Sequence, residues 1–129
     1  MRALLDTSIL IGGRSPGDEV EAAISVVSLA ELHFGLLVAR DDQARARRAN
    51  RLGMIEARFP DPLPVDDRVA REWGYLQSVV LAAGGQPRRR AADLAIAATA
   101  RVHEATLLTD NPKDFSAISH LLHIASAAD

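Results

Sequence analysis

The chain alternates between short apolar runs of strand length and longer segments whose apolar positions recur at helical spacing. Residues 2–5 read as a strand, 18–23 as a short helix or turn, and Ile24 to Val27 as a second strand. Helices are expected from Leu29 to Val38 and across 41–58, a short strand from Leu63 to Val65, and helices over 67–83 and 91–103. Thr106 to Thr109 and Leu121 to Ile124 complete the strands. Turn clusters punctuate the series at residues 12–17, 60–64, 84–87 and 111–112. Short strands separated by helices predict an α/β domain with a mostly parallel central sheet, and nothing divides residues 1–129 into more than one domain.

One position breaks the pattern. In MRALLDTSIL a carboxylate, Asp6, interrupts an apolar run and is followed by Thr7 and Ser8 before Ile9 resumes it. A buried charge is costly unless it is paired. Either two short elements meet there at a turn, or Asp6 ends a strand where a cation is held. Ligands of open parallel sheets bind beyond the carboxyl ends of the strands, and further acids fall at such places. Glu31 follows the Val26-Val27 segment, Asp93 opens the helix from Ala91, and Asp110 and Asp114 follow Leu107-Leu108. Clustered carboxylates repel unless protonated or bridged, and hard oxygen donors select Mg²⁺ or Mn²⁺. Each acid also has a local explanation. Ser28-x-x-Glu31 is a capping box, Asp93 complements a helix dipole, and Asp110 and Asp114 flank the turn at Asn111-Pro112. Taken alone, Glu31 reads as the cap; the coincidence of all four favours a site.

Composition narrows the chemistry. Without cysteine there is no disulfide framework, zinc ribbon or thiol nucleophile, which suits a reducing cytoplasm. The N-terminus matches neither a signal peptide nor a membrane span. The net charge of −2 excludes a generally basic nucleic-acid binder. The cations are nonetheless grouped: Arg88-Arg89-Arg90 stand just before Asp93, an unfavourable place for them beside a helix N-terminus, and suit contacts to RNA phosphates. Arg45 to Arg51 read as a solvated helix face. The four histidines lack metal-ligand spacing, and Trp73 and Tyr75 read as core or dimer packing.

Four stretches, Leu4-Leu5-Asp6-Thr7-Ser8, Ser25 to Gly35, Ala92 to Ala100 and Leu108 to Phe115, resemble the successive motifs of PIN-domain ribonucleases, most closely VapC toxins of type II toxin–antitoxin modules. The likeness runs in order from Met1 to Ile124. It implies a three-layer α/β/α fold, Mg²⁺- or Mn²⁺-dependent RNA endonuclease activity, a homodimer and inhibition by a cognate VapB-like antitoxin. Carried over by position, Asp6, Glu31 and Asp93 match the principal acids and Asp114 is the fourth, with Asp110 in reserve. Asn111 stands where many relatives carry an Asp. Thr7, Ser8 and Thr109 would orient the carboxylates. A catalytically weak PIN-like module binding RNA or antitoxin is the alternative. Aspartyl phosphotransfer fits less well, since Ser8 stands where a phosphatase wants a second Asp.

Overall fold

A computed structural model describes residues 1–126. Its sheet has four strands, β1 (Arg2–Leu5), β2 (Glu21–Ala23), β3 (Thr106–Leu108) and β4 (Ile124–Ala125), in the order β2-β1-β3-β4 with every pairing parallel. The helices are α1 (Thr7–Gly12), α2 (Val26–Leu37), α3 (Asp42–Arg58), α4 (Asp67–Ala82) and α5 (Ala91–Val102), with 3₁₀ turns at Pro87–Arg90 and Pro112–Ile118.

Side-chain alternation along β1 explains the layering. Ala3 and Leu5, with Leu108 of β3, point to one face and pack with Ile9, Leu10, Leu32, Leu52 and Ile55 of α1, α2 and α3. Leu4 and Leu107 point to the other, against Val69, Leu76 and Val80 of α4 and a continuously buried Leu94–Ala100 run of α5. The expected three-layer α/β/α domain is what forms. The small side chains of α5 let it lie close to the sheet, and Asp41 and Asp66 cap α3 and α4 by accepting from Ala44 N (2.7 Å) and Val69 N (2.9 Å).

Several boundaries differ from the expected ones. The second strand lies at 21–23, not 24–27, because Ser25 caps a helix that starts at Val26: its side chain accepts from Val27 N at 3.0 Å. Two valines at a helix start read as strand from local preference, and the cap outweighs that preference. The Leu63 segment makes only an isolated parallel bridge to Ser25. The last strand is Ile124–Ala125, while Leu121 and Leu122 pack against the core instead. Residues 7–12 form a short helix ended by Gly13 at φ 71°, a left-handed position that suits glycine.

Candidate acidic site at the carboxyl edge of the sheet

β1 and β3 are adjacent central strands, so the residues following each meet at one edge. Asp6 N–H continues the ladder by donating to Leu108 O at 2.9 Å. Asp6 is only 4% exposed, and although it is the N-cap of α1 its side chain caps nothing. Two hydroxyls hold it instead: Ser8 Oγ and Thr109 Oγ1 each donate to Asp6 Oδ2 at 2.8 Å. Each hydroxyl has one proton, so the 3.3 Å approach of Ser8 to Thr109 carries no hydrogen bond while both face the carboxylate. Their oxygens in turn accept from the backbone N–H groups of Asp110 and Asn111, both at 3.0 Å. The relay fixes Asp6 to the turn after β3 and keeps Oδ1 clear of both hydroxyls.

Glu31 is fixed by a second relay. Thr7 Oγ1 donates to Glu31 Oε1 at 2.6 Å, which leaves the fully buried Ser28 to donate to Thr7 across 2.8 Å. The capping-box reading is therefore corrected: Ser25 is the N-cap, Ser28 lies within α2, and Glu31 reaches across to α1. The resemblance named Thr7, Ser8 and Thr109 as groups that orient the carboxylates; which hydroxyl holds which acid is legible only in the fold. Ser28 was read only as part of a cap.

Asp93, in the first turn of α5, and Asp114, in the 3₁₀ turn after β3, share one cation. Arg90 Nη1 lies 3.1 Å from Asp114 Oδ1 and 3.7 Å from Asp93 Oδ2. Burial pushes Asp93 up to about 6, and the charges of Asp6, Asp114 and Glu31 add to the rise while Arg90 opposes it. Asp93 is thus in electrostatic reach of the other three proposed acids. Asp110 is turned away, paired with Arg14 at 3.0 Å, and Asn111 enters only through its backbone N–H. Of the three arginines, Arg90 is committed to the acids; Arg88 and Arg89 form no side-chain bond among the described residues.

Whether these residues suit a divalent ion is a question of donor type and charge. All four are oxygen donors, as a hard cation requires, and their mutual repulsion is what such an ion would relieve. Among the described residues no three acidic or histidine side chains are grouped to hold an ion as they stand. Arg90, drawing Asp93 and Asp114 to itself, already supplies positive charge there. The donor set fits the ion; the side chains rest in an ion-paired arrangement instead of a closed cage.

The chain belongs to the PIN-domain family, whose profile matches residues 3–121. Ribonuclease VapC4 of Mycobacterium tuberculosis (strain H37Rv) is 38% identical over 123 residues, covering 91% of each chain. Ribonuclease VapC8 of Mycobacterium tuberculosis (strain CDC 1551 / Oshkosh) is 38% identical over 103 residues, 77% of this chain and 90% of that one. A similar solved structure is that of VapBC-5, a member of the VapBC family of toxin-antitoxin systems from Mycobacterium tuberculosis, with TM-score 0.78, 32% identity and coverage of 97% of this chain and 96% of that one. The resemblance to PIN-domain proteins of the VapC type read from the motifs holds across the fold.

Proposed function

We propose that this protein is a divalent-metal-dependent endoribonuclease and the toxin of a VapBC-type toxin–antitoxin pair. The observation that supports the reading is the state of Asp93 at the carboxyl edge of the sheet, raised to about 6 by burial and by the charges of Asp6, Asp114 and Glu31. Names of relatives at 38% identity, Ribonuclease VapC4 and VapC8, point the same way.

Mg²⁺ or Mn²⁺, held by Asp6, Glu31, Asp93 and Asp114, would supply activation of water and stabilisation of charge on the phosphoryl oxygens. The chain's own part is positioning and charge. Ser8 and Thr109 hold Asp6 without neutralising it, and Thr7 does the same for Glu31. Asp93, titrating near 6, is mostly ionised at neutral pH. Arg88 and Arg89 are exposed and face no carboxylate within 4 Å among the described residues, which leaves them for substrate phosphates. Neutralising the four acids would reverse the sign of the net charge and favour RNA.

The antitoxin belongs to the same proposal. A groove of about 560 Å³ between α1 and α3 has Leu10, Met54, Ile55 and Phe59 along it and Arg14, Arg47, Arg51 and Arg58 at its rim. This suits an amphipathic segment with acidic flanks, and it revises the reading of Arg45 to Arg51 as only a solvated face. Homodimerisation is part of the proposal and is read by the mass of the protein in solution.

Purified protein should cleave RNA with Mg²⁺ or Mn²⁺ and stop on addition of EDTA. RNA binding without cleavage in either metal would overturn the enzyme in favour of a binding module, the reading that the Arg90-paired acids support.

A further inference from the structure

Beside the acids, between the 3₁₀ turn Pro87–Arg90 and the turn Pro112–Ile118, lies a cleft of about 340 Å³. It is within the size range of small-ligand sites, roughly 300–1,000 Å³. We propose that this cleft is a nucleotide subsite, seating the nucleotide next to the scissile phosphate and discriminating among bases; for its substrate the proposal rests on the ribonuclease reading above.

Three observations converge on it. First, the cleft is continuous with the acidic site, because Arg90 and Asp114 line both. A chain segment with a phosphate at the acids can therefore lay its neighbouring nucleotide along this wall. Second, three of its polar side chains are uncommitted. Lys113, the chain's single lysine, and Arg89 line the cleft and pair with no carboxylate among the described residues, while the Gln86 side chain makes no internal hydrogen bond. Two free cations suit a phosphate, and an amide offers both a donor and an acceptor to a base edge. Third, the wall is built. Gly85 presses on α4 so closely that a Cβ there would lie 2.8 Å from Val80 Cγ1, and Gly85 N–H donates to Val80 O at 2.9 Å. This holds Gln86 at the rim. Val80, Leu94 and Ala117 add an apolar side against which a base can lie.

The test uses the full chain in EDTA, with AMP, GMP, CMP and UMP as separate probes, followed by NMR of backbone and side-chain amides. Resonances of Gln86, Lys113 and Ser116 should move on addition of nucleotide, with affinities that differ among the four. Lys113→Gln should weaken binding about tenfold, the worth of one charge-assisted contact, and Gln86→Ala should level the differences among bases. Silent resonances at these residues overturn the subsite, as does binding that neither substitution alters. No cleavage is involved, so failure of the separate Mg²⁺ assay would sink the nuclease and leave this result standing. An active nuclease with a silent cleft would sink the subsite alone.

Discussion

The acidic site has two walls, and the chain holds its carboxylates differently on each. On the β1 side, Asp6 is buried and anchored by two neutral hydroxyls, and Glu31 by a third. On the α5 side, Asp93 and Asp114 are part-exposed, with 26% and 34% of their side chains accessible, and lean on the cation of Arg90. Hydroxyls orient a carboxylate and leave its charge in place; a guanidinium orients it and cancels part of that charge. Under the proposed metal-dependent reading, the first wall would meet a cation with its charge intact, and the second would exchange one cation for another.

The largest effects come from removing an acid on either wall. Asp6→Asn and Asp93→Asn should each lower metal-dependent RNA cleavage by roughly a thousandfold, several kcal/mol of charge stabilisation being lost. Metal-free stability should separate the two. Asp93 is raised from 3.8 to about 6 in the fold, so the native state holds its proton through that window and stability falls as pH rises from 3.8 to about 6. Asp93→Asn should then raise the melting temperature in EDTA at pH 7 and remove that pH dependence. Asp6→Asn should give a smaller gain, because it removes one of the charges that raise Asp93 and leaves the larger cause, the burial of Asp93, in place. The same titration makes protons compete with metal, so wild-type metal affinity should rise with pH up to about 6. Equal stability gains in both variants would break the distinction between the walls.

These walls were unequally legible in sequence. Asp6 stands out because a charge within an apolar run has no cheap local role, whereas the pairing of β1 with β3 that puts Thr109 beside it is legible only in the fold. Glu31 was misleading. Ser28-x-x-Glu31 fits a capping box letter for letter, but the N-cap is Ser25, three residues earlier, and where a helix starts is decided by which hydroxyl captures a free N–H. The Arg88-Arg89-Arg90 run was recognisable as out of place beside a helix dipole, yet only the fold separates Arg90, turned to the acids, from its neighbours. The two 3₁₀ turns that carry Arg90 and Asp114 have no periodic signal, since one or two turns are too short for one.

A smaller effect tests the hydroxyl wall. Thr109→Val removes a donor to Asp6 and an acceptor for Asn111 N–H, both within a buried relay. Divalent-ion affinity, measured calorimetrically, should fall by roughly 10- to 100-fold, and stability by about 1–3 kcal/mol. Thr109→Ser, which keeps the hydroxyl, should restore most of the affinity. Failure of serine to rescue would mean that the methyl group's packing, and not the relay, holds the wall.

The smallest change in stability is expected at the cationic wall. Arg90 is 45% exposed, and ion pairs at such positions contribute about 0–1 kcal/mol, so Arg90→Gln should barely move the metal-free melting temperature. Its effect on the ion should have the opposite sign to that of Thr109→Val. Without Arg90, Asp93 loses the one charge that lowers its titration, and both Asp93 and Asp114 lose the cation with which an entering metal competes. Metal affinity at pH 7.5, well above the titration of Asp93, should therefore rise several-fold. At pH 5.5 the gain should shrink, because protons then take the place that Arg90 gave up. If Arg90→Gln instead weakens metal binding as Thr109→Val does, the arginine is a support of the same kind as the hydroxyls, and the two walls do not differ in the way their partners indicate.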